Sequence, residues 1–200
     1  MSASLSRQIA VAAAQLVVDD GLEYASARRK AAQAVGGRRL RPSDLPGNEV
    51  IEDEVHAYIA TFHADTQAFE LRALRELALR WMIRLQAHRP HLAGAVWRGT
   101  ATRLSAIVLD LYCDDPKSAE IDLINQGIAF DTSGSPPSSD QRQLVFTITD
   151  RSQALGDLVS LHLVVHDLDD LRGALRPDAR GRSWRGDLAA VQRLLAEPPR

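Results

Sequence analysis

Apolar side chains at Ile9, Ala12, Ala13, Leu16 and Val17 recur at helical spacing between residues 6 and 20, and Gly21 follows as a C-terminal cap. Residues 23–35 place Ala25, Ala27, Ala31, Ala32 and Ala34 around Arg28, Arg29 and Lys30, a segment of high helix propensity that Gly36 and Gly37 end. The stretch 38–47, with Pro42 and Pro46, reads as a loop. Asn48 is then placed to cap a third helix carrying Val50, Ile51, Val55, Tyr58, Ile59 and Phe62. A fourth helix is predicted over 66–87, with Leu71, Leu74, Leu77, Trp81, Met82 and Leu85 on one broad stripe and Pro90 beyond its end.

The period changes after Pro90. Residues 92–97 and 106–112 are apolar runs of strand length separated by a Gly99-Thr100 turn. A helix is expected over 116–126, a short strand over 127–131 and a polar loop over 131–143. Residues 144–149 and 158–166 are rich in Val and Leu and close enough in sequence to form an antiparallel hairpin. Asp167 or Asp169 caps a short helix ending near Leu175, an Arg-rich loop covers 176–186, and a closing helix covers 188–197. The pattern predicts an α+β protein: an N-terminal helical region over 1–65, then a domain over 66–200 with helices packed on a mixed or antiparallel sheet.

Composition narrows the function classes. The chain has 200 residues, 45% of them hydrophobic, which is enough to bury a core, and no apolar run approaches the ~20 residues that cross a bilayer. With one cysteine, Cys113, it cannot form an internal disulfide, and a cytoplasmic location is expected. Twenty-four basic against 26 acidic residues give a formal charge of -2, so only local patches could attract nucleic acid. One such patch is Arg28, Arg29 and Lys30 with Arg38, Arg39 and Arg41. It has no interleaved aromatic platform, so a solvated helix face is the expected reading and nucleic acid is not an expected partner.

The run Gly94-Ala95-Val96-Trp97-Arg98-Gly99-Thr100-Ala101-Thr102-Arg103-Leu104-Ser105-Ala106-Ile107-Val108-Leu109 resembles the signature of minimal nucleotidyltransferases. There it reads roughly G-S-x-A-R-G-x-A-x-x-x-S-D-I-D-L. Gly94, Arg98, Gly99, Ala101, Ser105, Ile107 and Leu109 fall in register, and a long helix leads directly into the first strand, as in that family. The resemblance implies a nucleotidyltransferase-like sheet and a ligand-binding set of Gly94, Arg98, Gly99, Thr100, Arg103, Ser105, Asp110 and His162. In such enzymes two carboxylates at alternate positions of one strand hold two divalent metals against a triphosphate. Ala106 and Val108 occupy those positions here, Ala95 replaces the serine that helps seat the phosphates, and His162 stands where a third carboxylate is usual. A methyl or isopropyl group offers a hard cation no ligand, so neither a catalytic residue nor a metal is expected. Magnesium would enter only if Asp110, on the same strand face, contributed.

The whole chain is also similar to a family of small proteobacterial proteins through segments 27–32, 45–49, 97–102, 113–117 and 171–180. Some members are labelled UDP-N-acetylmuramate–alanine ligase, which would imply an ATP-dependent amide-forming enzyme. This chain lacks a G-x-x-G-K-[ST] phosphate loop and the length of a three-domain ligase, so its residues do not support that label.

Other constellations are weaker. No H-E-x-x-H occurs, and His162 and His166 share a strand face about 13 Å apart, too far to hold one ion. His88 and His91 flank Pro90 at a helix end, where exposure or bonds to terminal carbonyls are expected. There is no G-x-S-x-G elbow, and Cys113 has no adjacent histidine to activate it. Asp167, Asp169 and Asp170 read as helix caps. The loop from Arg176 to Arg185 sets flexible arginines beside Trp184, a composition suited to an anionic ligand or a protein partner, with the alternative that Trp184 pins the loop to the body. The leading expectation is a degenerate nucleotidyltransferase that binds a nucleotide or another phosphorylated small molecule, or regulates. The alternatives are a residual enzyme built on Asp110 and a structural or interaction protein whose helical half and 176–185 loop dock a partner.

Overall fold

The computed structural model describes residues 2–36, 41–134, 144–178 and 180–197, and is a mixed α+β protein with a six-stranded sheet. The chain forms two compact units. One comprises residues 1–71 with 100–105, the other 72–99 with 106–200. Arg38 and Arg39 of the basic patch lie outside the described residues.

The first unit is helical: α1 (Ser2–Asp19), α2 (Tyr24–Gly36), a 3-10 turn (Pro42–Asp44) and α3 (Asn48–Phe62). Its core interleaves the small Ala10, Ala13 and Ala14 of α1 with Ala27 and Ala31 of α2, which lets these helices approach closely, and adds the larger Ile51 and Val55 of α3. Gly47, not Asn48, is the N-cap of α3. The Asn48 side chain instead accepts a hydrogen bond from Arg28 at 2.9 Å, so tertiary contact overrides the local capping preference. Gly21 closes α1 at φ +67°, and a Cβ there would lie 2.2 Å from the Leu104 carbonyl oxygen.

The second unit begins within α4 (Gln67–Arg84), which a 3-10 turn (Gln86–His88) follows. Then come β1 (His91–Ala93), α5 (Gly94–Arg98), β2 (Ile107–Cys113), α6 (Pro116–Asn125), β3 (Asp131–Gly134), β4 (Leu144–Ser152), β5 (Asp157–Asp167), a 3-10 turn (Leu168–Asp170), α7 (Leu171–Ala174), β6 (Arg185–Gly186) and α8 (Leu188–Ala196). Strand order is β3-β4-β5-β2-β1-β6, antiparallel throughout except for the parallel β2–β5 pair.

Three predicted elements differ. The run 92–97 is extended only through Ala93. Gly94 enters the left-handed region at φ 64°, and residues 94–98 coil into α5, whose Val96 and Trp97 carbonyls accept the Arg75 guanidinium at 3.1 and 3.3 Å. The strand expected over 127–131 starts at Asp131 instead, where pairing with β4 begins, and residues 135–143 of the expected loop lie outside the described residues. Arg185 and Gly186, read as loop, form an edge strand on β1. The hairpin 144–149/158–166 forms as expected but is longer, because pairing continues to Ser152 and Asp157.

Register assigns the sheet two faces. Leu92, Ile107, Leu109, Leu111, Leu161, Leu163, Phe146 and Ile148 share the first, all at most 3% exposed, and α6 packs against it. Trp81 of α4 reaches Asp150 on that face with its indole N–H at 2.8 Å. The second face carries His91, Val108, Asp110, Tyr112, His162, Val164, His166, Thr147 and Arg185. Chemistry collects there.

Candidate functional site

Alternation along β2 turns Asp110 and Tyr112 to the second face, and the parallel pairing sets His166 opposite Tyr112. Asp110 lies midway along β2. In the fold it is 5% exposed, with both oxygens engaged: His166 Nε2 donates to Oδ1 at 2.9 Å and Arg185 Nε lies 3.3 Å from Oδ2. Because a carboxylate only accepts, the contact places a proton on Nε2 of His166.

Tyr112 completes the cluster. Its ring stacks on His166 with centroids 5.1 Å apart, meets His91 edge-on at 5.2 Å, and its hydroxyl accepts from Arg185 at 2.5 Å. Burial and the charge of Asp110 push the phenol upward in pKa and outweigh the opposing pull of Arg185, so it remains a neutral partner. His162 sits further along the same face with Nδ1 3.2 Å from Thr147 Oγ1, and burial lowers its pKa.

The residues of the glycine-turn motif go elsewhere. Gly94 and Gly99 take φ of 64° and 83° at the two ends of α5, conformations that glycine adopts without cost. Arg98 is 3% exposed in its side chain and is held by Asp178 at 3.2 Å, by the Ser183 carbonyl at 3.1 Å and over the Trp184 ring at 4.2 Å. Burial pushes the Asp178 carboxyl up, but the Arg182 and Arg180 backbone N–H groups and the Arg98 guanidinium outweigh it and hold the group below the ordinary carboxyl value. Of the two readings of the arginine-rich segment, the structure shows the one in which it is pinned, with Trp184 on Arg98, a Pro177–Ser183 bridge and a turn closed by Asp178 N–H to the Arg182 carbonyl at 2.8 Å.

Thr100, Arg103 and Ser105 belong to the helical unit. Thr100 Oγ1 is 2.7 Å from the Tyr24 hydroxyl, Ser105 Oγ accepts from Thr102 N–H at 3.1 Å, and the Arg103 N–H donates to Glu70 at 3.0 Å. These contacts fix the segment 100–105 within its unit. The eight predicted site residues thus divide between the units, and within the sheet unit only Asp110 and His162 share the second face. Arg185 escaped the sequence reading because an edge strand of two residues has no periodicity, Tyr112 because a predicted strand does not reveal which residues its face meets, while His166 was visible only as a neighbour of His162.

The two histidines at the helix end follow the expectation in part: His91 Nδ1 meets the Arg89 carbonyl at 2.9 Å, but neither ring is exposed. His88 and His91 are buried, at 7% and 6% exposure. Arg89 takes φ 46°, ψ 58° and turns the chain between them, which sends His91 to the second face and His88 to the first. There His88 meets Cys113, the cysteine that has no histidine beside it in sequence: Nδ1 is 3.5 Å from Sγ and Nε2 is 3.1 Å from Asp122 Oδ2.

Among the described residues no three His, Cys, Asp or Glu side chains gather to hold a metal, and no helix is long and apolar enough to cross a membrane. Comparison with protein-family models, curated proteins and solved structures finds no match.

Proposed function

We propose that this chain is a nucleotidyltransferase-like protein without metal-dependent transferase chemistry, a cytoplasmic binding module whose second sheet face takes an anionic, phosphorylated ligand such as a nucleotide. The observation that carries the reading is the occupation of Asp110. Ala106 and Val108 offer a cation no oxygen, and the one carboxylate on their strand face already accepts from His166 and is ion-paired with Arg185 at 3.3 Å. A divalent ion would have to displace an imidazole and a guanidinium from a buried acid with no second carboxylate on that strand face to help hold it.

Recognition then falls to cations and donors. Arg185 keeps 27% of its side chain exposed, His166 12%, and His162 and Thr147 are half-buried along the same face, so a phosphate can engage the guanidinium and polar edges without a metal. Arg98, the phosphate contact implied by the motif, acts instead to position the 176–185 segment. The single cysteine fits a reducing compartment.

Calorimetric titration with ATP, GTP, CTP and UTP, each with and without magnesium, tests the reading on the natural chain and on an Ala106→Asp/Val108→Asp variant. Magnesium-independent binding by the natural chain, lowered by Arg185→Gln and made magnesium-dependent in the double variant, is the expected result. Nucleotide incorporation by the natural chain that Asp110→Asn abolishes would establish the residual-enzyme alternative instead. Binding by neither protein would leave an interaction module as the reading.

A further inference from the structure

Away from the second face, three elements of the sheet unit bring a thiol, an imidazole and a carboxylate together. The C-terminal end of β2 supplies Cys113, the 3-10 turn after α4 supplies His88, and the second turn of α6 supplies Asp122. The order of contacts is that of a nucleophile, a base and the group that orients the base. Asp122 only accepts, so the proton on His88 lies on Nε2 and the unprotonated Nδ1 faces Sγ at 3.5 Å. The opposite tautomer would leave Asp122 facing a lone pair.

We propose that Cys113, His88 and Asp122 form a thiol relay that makes Cys113 a site of oxidation by hydrogen peroxide or a small organic peroxide. The sulfur attacks one peroxide oxygen, an S–O bond forms and the O–O bond breaks. The thiol proton passes to His88 Nδ1 and on to the departing oxygen, which leaves as water or an alcohol. Sulfur is oxidised to the sulfenic acid and the peroxide is reduced, so atoms and electrons balance.

Two features set the class of electrophile. Cys113 is 3% exposed, which admits an oxidant of two or a few heavy atoms rather than a peptide or nucleotide, whereas Asp122 is 36% exposed in its side chain and puts the relay one residue beneath the surface. Burial raises the thiol pKa, with Asp114 and Asp115 adding to the rise and Ser118 and Arg89 opposing it, so the resting sulfur is a thiol and reacts as its proton leaves. With no second cysteine, the oxidised sulfur cannot close an internal disulfide and is reduced only by an external thiol.

The reduced full-length chain, treated with hydrogen peroxide from roughly pH 6 to 9 in the presence of dimedone and read by intact mass, tests the relay. One dimedone adduct is expected on the natural chain, none on Cys113→Ser, and at least about a tenfold lower rate with His88→Gln. Asp122→Asn, at a partly exposed position and compatible with the fold, is expected to slow the reaction as well and to shift its pH profile. Equal rates in the natural chain and Asp122→Asn, a rate that climbs tenfold per pH unit as for an unassisted thiol, or an adduct seen only in denaturant would each overturn the proposal. If His88→Gln fails to fold, the Asp122→Asn rate and profile decide.

Discussion

Arg98 and Asp178 form a buried ion pair, 3.2 Å apart with side chains 3% and 2% exposed, and the face of Trp184 lies against the same guanidinium. A residue of the glycine-turn motif thereby anchors the C-terminal arginine loop, and the loop in return removes that arginine from solvent. Breaking one partner leaves the other charge buried without compensation.

Asp178→Ala is therefore expected to loosen the 176–185 segment and lower thermal stability, with tryptic cleavage appearing at Arg180 or Arg182 under conditions that leave the natural chain intact there. Since the folded carboxyl titrates below its unfolded value, its stabilisation is present above the ordinary carboxyl pKa and is lost as pH falls through the depressed one. Thermal melts between neutral and acid pH should show a steeper acid decline for the natural chain than for Asp178→Asn.

His162 gives the corresponding effect near neutrality. Burial favours its neutral form in the fold, so above the unfolded histidine pKa it contributes no pH dependence; below that value the unfolded chain takes up a proton that the folded chain resists. Stability should fall as pH drops from the ordinary histidine value toward the lower folded one. His162→Gln, which can still bond Thr147, is expected to lose that component. Imidazole titration by NMR reads the same quantity directly.

Gly21 and Gly127 separate strain from collision. Both sit at φ +67°, where alanine costs about 1 to 2 kcal/mol from backbone conformation alone. Gly127 has open space around its added Cβ, whereas Gly21 would drive one to 2.2 Å from the Leu104 carbonyl oxygen. Denaturant melts should show Gly21→Ala to be the more destabilising by a further ~1 kcal/mol or more.

Trp81→Phe tests the polar contact under the hairpin. The variant keeps an aromatic ring but deletes the indole N–H that donates to Asp150 at 2.8 Å and leaves a small cavity where the larger indole packed. Asp150 is 39% exposed and recovers water, so the lost hydrogen bond itself accounts for about 1 kcal/mol, and the cavity adds to it. Urea denaturation of the two proteins measures it.

How much of this was legible in the sequence follows from the range of the forces involved. Helical spacing from Ile9 to Val17 and from Leu71 to Leu85, and the Val and Leu runs of β4 and β5, reflect local backbone geometry combined with burial of one face, and both leave a periodic trace. The absence of oxygen ligands at Ala106 and Val108 is likewise a property of the residues alone. Boundaries were less secure where a distant group decides them: Arg75 stabilises α5 where the apolar run read as strand, and Arg28 takes the Asn48 side chain from the cap.

The site chemistry was decided by tertiary structure. Parallel pairing of β2 with β5 sets His166 against Asp110 and Tyr112 across more than fifty residues, and a two-residue edge strand adds Arg185. The left-handed turn at Arg89 sends His88 to Cys113, so a cysteine isolated in sequence gains a base in space. Side-chain hydrogen bonds and ion pairs act over a few ångströms and carry no sequence period. The sequence by itself determined which elements form and which metal chemistry lacks ligands; only the fold decided which charges meet.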